Sequence, residues 1–286
     1  MSVEIRLARP EDTRECGRIC YEAFKGIAEL RRFPLDFPSP EYADAVVAQL
    51  IESAGVFGVV AERDGRIVGS NFLDERDAVA GVGPISVDPV EHGGGVGRLL
   101  MEAVMERGAD AESIRLLQDA HNPVSLSLYA SLGFRLREPV ALVSGTPRAR
   151  PRGTLEVRPL EPGDLEGCSA LCSDVHGYDR TNGLRHSARF GPWVGVRDGD
   201  VRAYASSLTA WPLAHGVARN EEDMRELVLA AAAQGGTTLS FLVPMRDSPF
   251  FAWCLDEDLR TVKTMNLMSL GEYREPLGAW FPSVIY

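Results

Sequence analysis

The 286-residue sequence has no apolar run near the roughly 20 residues that cross a bilayer, so no membrane-spanning helix is expected. Its opening, Met-Ser-Val-Glu-Ile-Arg, holds no signal-peptide core. Positive charge is short: 30 Lys and Arg against 41 Asp and Glu leave a net charge of −11. That balance argues against a nucleic-acid surface and suits a neutral or cationic substrate. Lysine itself is nearly missing, present only as Lys25 and Lys263, which is a mark of a GC-rich genome rather than of function. The five cysteines are an odd number, so they do not all pair. Cys16/Cys20 and Cys168/Cys172 are each four apart on expected helices. Adjacent helical turns hold their Cβ vectors parallel, which is not disulfide geometry, and buried helix-face thiols are expected rather than a metal site. These absences lead to the expectation of a cytoplasmic protein with reduced thiols and no metal. A hydrophobic content of 45% and a charged content of 25% are ordinary for globular chains, and the length suits two domains.

What is present centres on residues 83–101, Gly-Pro-Ile-Ser-Val-Asp-Pro-Val-Glu-His-Gly-Gly-Gly-Val-Gly-Arg-Leu-Leu-Met. The pattern predicts a central strand over 79–87, stopped at Asp88-Pro89 because proline donates no ladder hydrogen bond. A glycine loop follows, and Leu99, Leu100, Ala103 and Val104 then repeat at helical spacing. Strand, glycine loop and helix N-terminus make an anion cradle, since glycine lets the backbone approach and the first helical N–H groups point outward. No Lys-Ser or Lys-Thr follows the loop, which excludes a nucleoside-triphosphate loop. Arg98 stands where a dinucleotide fingerprint needs its third glycine.

Val87, Pro89, Gly95 and Gly97 instead fall at the spacing of the coenzyme A loop of the GCN5-related N-acetyltransferase (GNAT) superfamily, which this stretch resembles; His92 stands where that motif carries Arg or Gln. A second motif of the family, Asn then Tyr seven residues on and then Gly-Phe, is matched by Asn122, Tyr129, Gly133 and Phe134. The resemblance is strongest over residues 3–145. It implies acetyl-CoA as co-substrate, with no metal. Ile85, Ser86 and Val87 lie by the thioester, and His92, Gly93, Gly94, Gly95, Val96, Gly97 and Arg98 lie around the pyrophosphate. Asn122 bonds the pantetheine or fixes the strand–helix junction. Tyr129 is the general acid for the leaving thiolate. In the family the segment between the first two helices roofs the acceptor pocket, which makes Phe33, Leu35 and Phe37 candidates for lining it. The general base is open among Asp74, Glu75, Asp77 and the carboxylate of Tyr286, with Glu75 and Tyr286 carried as substrate-binding candidates.

Residues 3–20 recur at 155–172: Glu4, Arg6, Pro10, Asp12, Cys16 and Cys20 return as Glu156, Arg158, Pro162, Asp164, Cys168 and Cys172. The hairpin signal Arg63-Asp64-Gly65 returns as Arg197-Asp198-Gly199. Two tandem copies of one fold follow. The fold class expected is α/β with a mixed sheet: two GNAT-like domains, each a mostly antiparallel twisted sheet flanked by helices. The boundaries expected are 1–145 for the catalytic copy, 146–154 for a solvated linker and 155–286 for a degenerate copy. Where the first copy has its glycine loop, the second has His215-Gly-Val-Ala-Arg-Asn-Glu-Glu-Asp223, whose acids would repel pyrophosphate. The first copy is one strand short, and residues 280–286 are expected to complete its sheet. The expected activity is acetyl transfer to a small-molecule amine by a monomer or homodimer, with no nucleic-acid or membrane partner. Two other readings stay open: a non-catalytic acetyl-CoA sensor, and a tandem acyltransferase resembling mycothiol synthases.

Overall fold

In the computed structural model the described residues are 3–236, 238–246 and 248–284, and the chain divides into two compact units, 1–116 and 117–286. The expectation about Tyr286 lies outside the described residues.

The first unit runs β1 (Glu4–Leu7), α1 (Thr13–Arg31), α2 (Pro40–Glu52), β2 (Val56–Arg63), β3 (Arg66–Asp74), β4 (Val79–Val82), β5 (Ser86–Val87) and α3 (Val96–Arg107). β6 (Ser113–Asp119) begins in it and ends in the second unit. β1, β2, β3 and β4 are neighbours in that order and antiparallel, and β4 pairs in parallel with the start of β6. Asp64 (φ 53°) and Gly65 (φ 74°) take the left-handed pair of angles that a two-residue hairpin between β2 and β3 requires. The expected single strand over 79–87 is broken. Pro84 has no ladder N–H and Gly83 turns at φ 137°, so β4 and β5 are separate strands on the same side of β3.

The second unit continues with α4 (Pro123–Ser131), β7 (Arg135–Gly145), β8 (Glu156–Pro159), α5 (Leu165–His176), α6 (Thr181–His186), β9 (Trp193–Arg197), β10 (Asp200–Ala205), β11 (Gly216–Ala218), α7 (Glu221–Gly235), β12 (Leu239–Pro244), α8 (Pro249–Asp256), β13 (Arg260–Gly271) and β14 (Ala279–Phe281). One antiparallel sheet has the order β14-β11-β10-β9-β8, and the remaining strands follow the end of β6 as β13-β7-β12. α7 buries Met224, Leu227 and Val228 in a core with Phe241, Phe250 and Phe281.

The repeat is visible in atomic detail. Arg6 grips Asp12 with two hydrogen bonds (2.7 and 3.0 Å) while Asp12 accepts the Arg9 N–H (2.8 Å). Arg158 and Asp164 repeat this at 2.7 and 2.8 Å, with the Glu161 N–H at 2.8 Å. The bidentate pair closes the turn before the first helix of each copy.

Two expectations are corrected. The strand missing from the first copy is supplied by β13, which lies between β6 and β7, and not by the C-terminal tail. The described part of that tail, β14, pairs with β11 in the sheet of its own copy. β7 belongs to the first copy by sequence, yet both its neighbours, β13 and β12, come from the second. Packing therefore divides the chain after Leu116 and not at 146–154. Nor is that linker free in solvent. The Arg148 and Ala149 N–H groups donate to Glu257 (3.1 and 2.7 Å), and those of Arg152, Gly153 and Thr154 donate to Glu226 (2.9, 2.5 and 3.2 Å). Glu226 is 3% exposed, so Glu226→Ala would leave three backbone donors without their acceptor. A loss of about 2–4 kcal/mol is expected, read as a lower denaturant midpoint at unchanged slope.

The core of the second copy buries two imidazoles. The rings of His176 and His215 are 5.5 Å apart, and the Tyr204 hydroxyl lies 3.1 Å from His215 Nε2. Burial, and after it the charges of Arg180 and His176, hold the His215 imidazole well below its ordinary value. The unfolded chain takes up a proton there near pH 6.5, which the folded chain refuses. Stability from this site is therefore complete above about pH 6.5 and declines as the pH falls below it. Melting temperature should drop between about pH 7 and pH 5, and His215→Gln should flatten that slope; equal slopes would place the dependence elsewhere.

Candidate active site

Strand β5 leaves one edge open. Gly69 and Ser70 of β3 stand opposite Val87 and Ser86, and the Asp88 N–H donates to the Val68 carbonyl at 2.9 Å. Backbone groups alternate in direction along an antiparallel pair, so those of Val87 point away from β3. Among the described residues no other strand pairs with β5. The approach of β5 is close: a Cβ on Gly69 would meet the Ser86 carbonyl oxygen at 2.7 Å.

The chain leaves β5 through a turn held by two acids. Asp88 is buried and accepts the Val90 N–H (3.1 Å) at the start of the short 3-10 turn Pro89–Glu91, and it also accepts from Arg18 of α1 (2.9 Å). Burial opposes ionisation, but Arg18 and the Val90 N–H outweigh it and hold the Asp88 carboxyl below the usual range. Glu91 pairs with Arg63 and, at 3.3 Å, with Arg66. The glycines come next. Gly93 (φ 82°) and Gly95 (φ 78°) occupy the left-handed region, where a side chain would be strained. Gly95 caps α3: its carbonyl accepts the N–H groups of Arg98 (3.1 Å) and Leu99 (3.2 Å). The N–H groups of Val96 and Gly97 come before the first donor bonded to that carbonyl, Arg98, and project from the helix end, where the helix dipole is positive. His92, Gly93, Gly94, Gly95 and Arg98 are exposed, Gly97, Ile85 and Val87 half-buried, and Val96 and Ser86 buried. The Ser86 hydroxyl lies 3.3 Å from that of Ser70. α3 is fixed to β3 by Asn71, whose amide donates to the Leu100 carbonyl at 3.3 Å.

Sequence reasoning named the loop and missed what holds it. Asp88-Pro89 was visible as a strand stop, and the same pair is a helix-cap signal, an Asp before an N1 proline. The roles of Arg18, Gly69 and Asn71 had no local signal.

The corresponding place in the second copy is closed. β11 is paired on both edges, by β10 and by β14. α7 begins at an Asn220 cap without a glycine turn, and its first three residues are Glu221, Glu222 and Asp223. Asp223 is buried against Arg197 (2.8 Å) and Arg202 (3.3 Å).

The other expected residues fall as follows. Asn122 caps α4, its side-chain oxygen accepting the Ser125 N–H at 3.2 Å, so that oxygen is used by the strand–helix junction. Tyr129 is 7% exposed and packs on Phe134 with ring centres 6.2 Å apart. Burial, then the Asp119 charge, push its phenol up, so it holds its proton at neutral pH. Phe37 stacks edge-on with Phe24 (5.2 Å) beyond the left-handed end of α1 at Arg32, Phe33 is half-buried and Leu35 is exposed. Glu75 is corrected. It pairs with Arg107 (2.8 and 2.5 Å), the last residue of α3, about 16 Å along that helix from its glycine end. Arg107 lines a separate groove of about 430 Å³ with Leu7, Phe57 and Val59. Asp74 is engaged by Arg76. The thiols are free and buried, and burial pushes Cys16 and Cys168 up to about 12, which leaves them poor nucleophiles. Among the described residues no helix is long and apolar enough to cross a membrane.

Residues 24–134 match the model of the acetyltransferase (GNAT) family. That stretch is less than half of the chain, and the match is one of this segment to the family. It is similar to a putative acetyltransferase from Pyrococcus horikoshii, with a TM-score of 0.77 and 18% identity over 99% of this chain and 95% of that one. It is also similar to a GCN5-related N-acetyltransferase from Sphaerobacter thermophilus (TM-score 0.64, 15% identity, 96% of each chain). A third likeness is to a tandem GNAT protein from the clavulanic acid biosynthesis pathway (TM-score 0.60, 14% identity, 94% of this chain and 98% of that one). At these identities the likeness is one of fold. None of the curated proteins compared with the chain matches it.

Proposed function

We propose that the chain transfers an acetyl group from acetyl-CoA to an amine of a small acceptor, using the first copy alone as its coenzyme site. The observation that supports this most is the contrast between the copies. The first has an open strand edge at Val87 and a glycine turn ending at the N-terminus of α3. The second has its strand edge covered by β14 and acids at its helix N-terminus.

In this reading the pyrophosphate takes the N–H groups of the 93–97 turn, with His92 and Arg98 beside it, and the Val87 N–H polarises the thioester carbonyl. The neutral amine attacks that carbon. A C–N bond forms, the C–S bond breaks, and the ammonium proton leaves to a base through water. Tyr129 gives its proton to the departing thiolate. Phe33, Leu35 and Phe37 belong to the acceptor side, and a cationic amine suits the net charge of −11. A panel of primary amines assayed for thiol release from acetyl-CoA tests the reading. Turnover with at least one small amine is expected. Acetyl-CoA binding without thiol release across the panel would favour a sensor instead.

A further inference from the structure

The same strand closes a sheet in both copies, and the two copies treat its outer edge differently. β8 is the outermost strand in the second copy. The Leu160 N–H donates to the Pro192 carbonyl at 2.9 Å, and Arg158 and Glu156 stand opposite Val194 and Val196. Backbone groups alternate along an antiparallel pair, so those of Val157 and Pro159 face away from β9. That edge is blunted. Pro159 has no N–H, and the Val157 carbonyl accepts the Gln234 side-chain amide of α7 at 3.0 Å. Glu156 lies 3.8 Å from Arg158 of its own strand.

β1 carries neither device. The Ala8 N–H donates to the Gly58 carbonyl at 2.9 Å, and Arg6 and Glu4 stand opposite Val60 and Glu62, so the backbone groups of Ile5 and Leu7 face away from β2. Leu7 has the N–H that Pro159 lacks. Among the described residues β2 is the only strand paired with β1, and no side chain bonds the Ile5 backbone as Gln234 bonds Val157. Leu7 is 60% exposed beside the groove that holds Phe57. Arg6 is turned to Asp12 and to Glu62 (2.8 Å), while Glu4, opposite Glu62, makes no ion pair among the described residues.

We propose that β1 is the edge through which two molecules of this chain pair, antiparallel and about a two-fold axis at Ile5. Backbone direction and charge select the same register. With Ile5 opposite the partner's Ile5, the two exchange N–H to carbonyl bonds, and the Leu7 N–H meets the partner's Val3 carbonyl; these are the groups that face outward. Glu4 then falls opposite the partner's Arg6, and Arg6 opposite the partner's Glu4, a favourable cross-strand pair made twice. An axis at Glu4 or at Arg6 would set like charges opposite each other and call on backbone groups already turned to β2. On the other face Leu7 meets the partner's Val3 next to Phe57, which continues the apolar lining of the groove. A two-fold contact of this kind closes on itself, so assembly stops at two molecules. A strand of four residues makes a small interface, and the dimer dissociates on dilution.

Analytical ultracentrifugation of the full chain over a dilution series tests this. The parent is expected to move between one and two chain masses. Ile5→Pro removes only an N–H that points away from β2, which an edge strand tolerates, and should leave the mass at one chain throughout. Glu4→Arg stands opposite Glu62 within its own chain, so the fold keeps a favourable pair, but it meets the partner's Arg6; the dimer dissociation constant should rise at least about tenfold. Register is read by oxidative crosslinking. Ile5→Cys should give a disulfide-linked dimer, since the Cα atoms of such a pair lie about 5.5 Å apart, whereas Val3→Cys, opposite Leu7, should not. The five native cysteines are buried and stay out of the reaction. A parent that keeps the mass of one chain at every concentration, a dimer that neither variant weakens, or crosslinking through Val3→Cys and not Ile5→Cys would overturn the inference.

Discussion

Calorimetric titration with acetyl-CoA is expected to give one site per chain, and to give none in the Gly95→Glu, Gly97→Glu variant. Gly95 sits at φ 78° as the cap of α3, so glutamate there costs about 1–2 kcal/mol in backbone strain alone. Both substitutions also put a carboxylate where the N–H groups of the helix end would meet a pyrophosphate. Affinity should fall at least about 100-fold, which amounts to a modest like-charge repulsion on top of lost backbone contact. Circular dichroism of the variant separates loss of the site from loss of the fold. Two sites per chain would mean that α7 also binds the coenzyme despite Glu221, Glu222 and Asp223. Absence of binding in the intact chain would remove the loop from the mechanism.

Tyr129→Phe is expected to lower kcat about 100-fold and leave acetyl-CoA affinity within about twofold, the pattern of a lost general acid. The phenol is buried and feels the Asp119 charge, so it stays protonated well past neutral pH. The alkaline limb of the parent's kcat profile should therefore show no fall from Tyr129 below about pH 10. An unchanged kcat would reduce Tyr129 to packing against Phe134. A sensor would be indifferent to the hydroxyl, and in that case the amine panel would also stay silent.

The parts of this protein that its sequence determined are local. The Val87-to-Gly97 spacing places a strand end, a turn and a helix start within one short stretch, where glycine angles and the proline stop act on their neighbours. Asn122 to Phe134 is similarly self-contained, a capped helix with its Tyr at a set number of turns. The duplicated Arg–Asp clasps and the two Asp-Gly hairpins made the tandem repeat legible, since each joins residues a few positions apart. The Gly83-Pro84 break was written in the sequence too, but the apolar run across it masked two strands as one.

The partners of strands were decided by the tertiary structure alone. An alternating apolar segment says that a strand will form and not which edge will accept it. The first copy lacked a strand, and both β13 and the C-terminal segment were apolar enough to serve. β13 lies between β6 and β7, while β14 covers β11, and only the burial of both faces in the folded chain distinguishes these choices. Glu75 read as a candidate beside the central strand, and Arg107 at the far end of α3 claims it. The pairing of Lys263 with Asp119 joins residues far apart in sequence across two strands whose adjacency no local pattern encodes. Short-range sterics and hydrogen bonding thus wrote the coenzyme loop and the Tyr129 helix into the sequence, while competition among apolar strand edges, resolved only on folding, decided what the second copy lends to the first.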